Sequence, residues 1–172
     1  MKNIILVGLE GTNKSEIGKD LAQKLKMKLI DTDEMMKRES GLSLPELLKK
    51  YGVKYFRNIE NEIIEKISHS SNTVIVVGGG SILQGKNVKV LKRNGFLISL
   101  ITSKINLKIN KIKDEKSRLQ SQWNQLFQSA KGILNLKTPS FLAADYTIDI
   151  TDLSIEEVNQ KIIEKLRRGN LD

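Results

Sequence analysis

The stretch "GLEGTNKS", residues 8–15, follows the apolar run "NIILV" and nearly matches a loop built to hold phosphate. The full pattern is Gly, four residues, Gly-Lys, then Ser or Thr. Gly8, Lys14 and Ser15 are in place, and Asn13 stands where the second glycine belongs. In such a loop the backbone N–H groups, here around Gly11, Thr12 and Asn13, point at phosphate oxygens, and the dipole of the following helix adds positive potential. A lysine at 14 reaches the β- and γ-phosphates, and a hydroxyl at 15 ligates magnesium. The competing reading is a plain strand-to-helix turn that contains Gly and Lys.

Three more groups could do chemistry. "IDTDEM", residues 30–35, sets the carboxylates of Asp31 and Asp33 two apart at the end of an apolar run. They could sit beside a nucleotide's magnesium and a substrate hydroxyl, or Asp31 could simply cap a helix. "YFRNIENE", 55–62, puts Arg57 and Glu60 on one helix face, three residues apart. An arginine held by a glutamate is a clamp for a substrate carboxylate; the alternative is a surface ion pair. "VIVVGGGSIL", 74–83, ends an apolar strand in Gly78, Gly79 and Gly80. Three glycines in a row let backbone approach a ligand closely, at the sheet end where open α/β folds bind ligands.

The elements that must position these groups alternate. Strand-like runs fall at 3–7, 27–30, 73–77, 95–101 and 146–150. Between them, Ile17, Leu21 and Leu25 share one helical face, and Ile59, Ile63, Ile64 and Ile67 form another stripe. "SLPE", 43–46, and "SIEE", 154–157, are capping boxes that open helices, the first with an early proline. Strand and helix repeated in this way predict an α/β fold with a parallel sheet covered on both faces. The polar stretch 113–132 lacks a core pattern and reads as a lid.

Composition narrows the partners. A chain of 172 residues fits one domain with a sizeable core. Without cysteine there is no disulfide framework and no thiolate metal site. No apolar run is long enough to span a bilayer, and no secretory signal opens the chain, so a cytoplasmic protein is expected. The net charge of +9 permits either nucleic acid or anionic small molecules as partners. The basic residues are dispersed and not interleaved with aromatics, which favours small anions over nucleic acid. His69, the only histidine, reads as a charge near a helix end, and Trp123 as a packing residue of the lid.

Taken in order and spacing, the phosphate loop, "DTD", "FRNIE" and "GGG", together with "LSLPELLKKYGVKYFR", resemble the shikimate kinase family from Met1 to the C-terminal helix. The resemblance implies a nucleoside-monophosphate-kinase-like three-layer fold with five parallel strands, a substrate-binding helical region at about 33–62 and a lid. It implies a monomer that uses ATP and magnesium to phosphorylate the 3-hydroxyl of shikimate, with no nucleic-acid or membrane partner. Lys14 and Ser15 would then handle phosphates and magnesium, and Asp31 would support the metal through water. Asp33 would hold the shikimate hydroxyls and take the proton. Arg57, oriented by Glu60, would bind the carboxylate, and Gly78, Gly79 and Gly80 would line the pocket. Arg118 would stabilise the transferring group from the lid.

Four residues depart from the family pattern. Asn13 replaces the loop glycine and Leu119 replaces a lid proline after Arg118. Lys137 stands where a second arginine meets the shikimate carboxylate, and Lys111 where an arginine packs on adenine. Lysine keeps the charge but lacks the forked donors and the flat face. One charged hydrogen bond lost from a fork costs about 1.5–3 kcal/mol. A weakened kinase is therefore expected. Its rivals are a non-catalytic homologue with a binding or regulatory role, and a related kinase with another hydroxyl acceptor.

Overall fold

In a computed structural model of the chain, residues 2–8, 12–78, 84–102 and 143–169 are described. Numbered in chain order, the described elements are β1 (Asn3–Gly8), α1 (Lys14–Leu25), β2 (Lys28–Asp31), α2 (Thr32–Ser40) and α3 (Leu44–Ser68). β3 (Thr73–Val77), α4 (Gly85–Lys92), β4 (Gly95–Ile101), β5 (Tyr146–Asp149) and α5 (Ile155–Arg168) follow. The five strands form one parallel sheet in the order β2-β3-β1-β4-β5. β1 is central, with Ile5 opposite Ile75 of β3 and Leu97 of β4. This is the five-stranded α/β fold expected from the alternating runs.

Successive side chains of a strand point to opposite faces, and β1 divides its residues accordingly. Ile5 and Val7 pack with Met36 of α2, with Leu47, Ile63 and Ile67 of α3, and with Leu91 of α4. Ile4 and Leu6 pack on the other face with Ile17 and Leu21 of α1 and with Val158 and Ile162 of α5. The strand is apolar along its length because both faces are covered.

Both capping boxes form. Ser43 N donates to the Glu46 carboxylate at 2.9 Å, and Ser154 N donates to Glu157 at 2.8 Å while Glu157 N returns a bond to Ser154 Oγ at 3.2 Å. α3 is interrupted once, at Gly52, whose φ of 78° and ψ of 173° lie outside the helical region. That conformation is essentially reserved for glycine. The break re-aims the chain one turn and a half before Arg57. His69 caps the C-terminal end of α3 and is exposed. The expected lid at 113–132, with Arg118, Leu119 and Trp123, lies outside the described residues, as do Gly11, Gly79, Gly80, Lys111 and Lys137.

Candidate active site

The described site residues gather at the carboxyl ends of β1, β2 and β3, where helices α1 and α2 begin. β1 ends at Gly8. A Cβ there would lie 2.8 Å from the Leu100 carbonyl oxygen and 3.0 Å from Thr12 Oγ1, so only glycine fits. Asn13 is the N-cap of α1, and its carbonyl oxygen accepts from Ile17 N at 3.0 Å. Its φ is 52° and its ψ 31°, the left-handed region a motif glycine would supply. Asparagine enters that region at less cost than most residues. Asn13 is exposed, and its side chain makes no capping bond to α1. The first N–H groups of a helix have no partner within it, so this end of α1 is suited to an anion.

Lys14 and Ser15 occupy the first turn of α1. Ser15 Oγ donates to Asp31 Oδ2 at 2.6 Å, which joins the first turn of α1 to the end of β2. The other oxygen, Asp31 Oδ1, accepts from Asp33 N at 3.0 Å and Glu34 N at 3.3 Å. Asp31 is thus the N-cap of α2 and the partner of Ser15 at once. A hydroxyl and a carboxylate set together are the hard oxygen donors that suit magnesium, which uses few protein ligands and completes its shell with phosphate and water. Among the described residues no group of three or more His, Cys, Asp or Glu side chains forms a self-sufficient metal cage.

Asp33 lies two residues further on, in the first turn of α2. Burial, and then the neighbouring charge of Asp31, push its carboxyl up to about 6. Lys14 and Lys37 oppose that shift, and Glu60 adds to it. The same electrostatic neighbourhood therefore includes side chains from α1, α2 and α3. Gly78, just past β3, completes the contact: a Cβ there would lie 2.4 Å from Asp33 Oδ1. The carboxylate occupies the space that any other residue at 78 would fill.

Arg57 Nη1 donates to Glu60 Oε2 at 2.5 Å. Glu60 is only 4% exposed, so this is no surface pair. Arg57 is half-buried, with its guanidinium 5.8 Å from the centre of the Phe56 ring. A planar guanidinium fixed on one side by a buried carboxylate keeps its forked donors in a set orientation.

Of the residues singled out from the sequence, the structure brings together Ser15 with Asp31, Asp33 with Gly78, Lys14 with Asp33 by charge, and Arg57 with Glu60. Sequence reasoning passed over two residues. Lys37 sits one turn after Asp33, pairs with Glu34 at 2.5 Å and carries a raised pKa chiefly through that bond. Thr32, between the two aspartates, is buried and accepts a hydrogen bond from Gly78 N. The i, i+4 spacing from Asp33 could have pointed to Lys37. Thr32 offered only its place between two candidates.

A family model described as shikimate kinase matches residues 10–167. A shikimate kinase of Thermodesulfovibrio yellowstonii is 36% identical over 168 residues, covering 98% of this chain and 96% of its own. Another, from Caldanaerobacter subterraneus subsp. tengcongensis, is 36% identical over 163 residues, covering 95% of each. Among solved structures, the shikimate kinase of Acinetobacter baumannii in complex with shikimate superposes with a TM-score of 0.83 at 26% identity, covering 100% of this chain and 96% of that one.

Proposed function

Because the chain belongs to the shikimate kinase family, we propose that the cluster at the ends of β1, β2 and β3 transfers the γ-phosphoryl of ATP to the 3-hydroxyl of shikimate. The protein is an ATP-dependent small-molecule kinase, and the observation that carries its chemistry is the placement of Asp33. That carboxylate lies against Gly78, within the field of Lys14 and Glu60. A carboxyl pushed up to about 6 is ionised at neutral pH yet basic enough to receive a proton.

Each residue then has a task. Lys14 and the N-terminal N–H groups of α1 neutralise the phosphates. Ser15 and Asp31 are the residues that would hold magnesium, Asp31 through water, and the ion would supply positive charge to the phosphates. Arg57 takes the shikimate carboxylate and Glu60 fixes the arginine. Asp33 holds the acceptor hydroxyl. As that oxygen bonds to the γ-phosphorus, the bond from phosphorus to the β–γ bridging oxygen breaks, ADP departs, and the hydroxyl proton passes to Asp33. Phosphoryl transfer of this kind depends on positioning and charge neutralisation more than on covalent help.

Roles for Gly8, Gly11, Thr12 and Asn13 in cradling phosphate, for Gly79 and Gly80 in lining the pocket, for Lys111 at adenine, for Lys137 at the carboxylate and for Arg118 in the lid belong to the same proposal and rest on the sequence. So do a single domain with its substrate region at about 33–62 and lid at about 113–132, a monomeric state, a cytoplasmic location and the absence of a nucleic-acid partner. Among the described residues no helix is long and apolar enough to cross a membrane. The alternative of a non-catalytic homologue rests on the four departures, of which Asn13 is the one among the described residues. Asn13 has the left-handed backbone that a motif glycine would supply, which weakens that alternative.

Titration calorimetry tests the binding half of the proposal. With magnesium and a non-hydrolysable ATP analogue present, shikimate binds the wild type, and Arg57→Ala loses most of that affinity. Absence of shikimate binding to the wild type, with and without the analogue, refutes the assignment.

A further inference from the structure

We propose that Thr32 is a positioning residue that clamps the exit of β3 to the first turn of α2, setting Gly78 against the Asp33 carboxylate. The need for a clamp follows from the sheet. β3 pairs with β1 as far as Val77 and with β2 as far as Val76. Gly78 lies just beyond both ladders, and it is buried. A buried backbone N–H outside the ladder must find another acceptor. Gly78 N donates to Thr32 Oγ1 at 3.1 Å, across 46 residues of sequence.

Thr32 is suited to this task by position and burial. It is the first residue of α2, directly after the N-cap Asp31, and it is 2% exposed. Asp31 and Asp33 on either side are tied to one another through the bond from Asp33 N to Asp31 Oδ1. A single turn thus holds three functions in consecutive residues: Asp31 toward Ser15, Thr32 toward Gly78 N, and Asp33 into the space where Gly78 has no Cβ. Residue 78 is therefore held by its backbone to Thr32 and touches Asp33 by its missing side chain. The hydroxyl does not touch the reacting atoms. It acts through Gly78 and Asp33, whose roles toward shikimate are those proposed above.

Thr32→Val removes the acceptor with little change of shape, and Thr32→Ser keeps it. A buried donor left without a partner is costly enough to displace Gly78, so the valine variant is expected to lose about tenfold or more in kcat/KM for shikimate, with the KM for ATP within about twofold of wild type. Thr32→Ser restores most of the loss. Thr32→Ala is the second variant should valine fold poorly, and thermal midpoints report folding in each. Amide hydrogen exchange at Gly78 gives a readout that does not depend on turnover: protected in the wild type and Thr32→Ser, fast in Thr32→Val or Thr32→Ala. Equal shikimate kinetics in wild type and Thr32→Val, or no rescue by serine, overturns the positioning role. Equal Gly78 exchange in all variants overturns the clamp itself. If the wild type fails to phosphorylate shikimate, the functional reading falls and with it the catalytic part of this role, while the exchange result still decides the bond.

Discussion

Ser15 Oγ and Asp31 Oδ2 lie 2.6 Å apart, and the second oxygen of the same carboxylate caps α2. One side chain therefore serves both the proposed metal site and the stability of a helix. The two uses separate by substitution. Asp31→Asn keeps an oxygen to cap α2 and loses the charge, while Asp31→Ala loses both. Both variants need more magnesium for half-maximal activity. Only the alanine also loses the cap, worth about 1 kcal/mol in urea unfolding. Equal stability of the two variants would show that the cap contributes nothing.

Asn13 separates backbone shape from phosphate fit. Its left-handed conformation costs most residues with a Cβ about 1–2 kcal/mol, and asparagine less. Asn13→Ala is expected to destabilise by roughly that amount, and Asn13→Gly to change stability by only a few tenths of a kcal/mol. Kinetics test the fit. If the asparagine amide crowds the phosphate, Asn13→Gly lowers the KM for ATP or raises kcat. Unchanged constants would show that Asn13 serves as well as the glycine.

Asp33 predicts a trade of stability for function. Its carboxyl is pushed up to about 6 in the fold, chiefly by burial, against an ordinary value near 3.8. Between those values the folded state binds more protons than the unfolded state, so stability falls as pH rises through that window. Above pH 6 the buried charge is a standing cost. Asp33→Asn is therefore expected to stabilise the ligand-free protein at pH 7.5, by about 1–3 kcal/mol, while abolishing most turnover. The gain should shrink as pH falls from 6 toward 4. A variant less stable than wild type at pH 7.5 contradicts the burial argument.

The Arg57–Glu60 pair predicts an asymmetry. Glu60 is the more buried partner. Removing the arginine strands a buried carboxylate, and breaking a buried pair this way costs about 3–5 kcal/mol at the upper end. Glu60→Gln leaves the half-buried cation with a polar neighbour and costs less. Arg57→Lys keeps the charge but loses the fork, and the KM for shikimate rises about tenfold to a hundredfold. Urea unfolding and steady-state kinetics on the three variants read both effects.

Much of this was legible in the sequence because it is local. The apolar runs fixed the strands to within a residue. β2 begins at Lys28 and not at Met27, because Met27 N bonds back to Ala22 O in the turn after α1. The two readings of Asp31, helix cap and site residue, are not exclusive, since a carboxylate has two oxygens: one caps α2 and the other accepts from Ser15. Other features needed tertiary structure. The spacing of Arg57 and Glu60 is visible in the sequence, but the burial of Glu60 depends on how α3 packs. The bond from Gly78 to Thr32 joins residues 46 apart, and no local pattern announces it.

Coupled ADP release tests most directly the proposed roles of Asp33 and Lys14 in phosphoryl transfer to shikimate. With magnesium-ATP, the wild type should release ADP only when shikimate is present, and both Lys14→Ala and Asp33→Ala should lose that release while remaining folded. No shikimate-dependent ADP from the wild type at high enzyme concentration, or undiminished release from Asp33→Ala, would contradict the account.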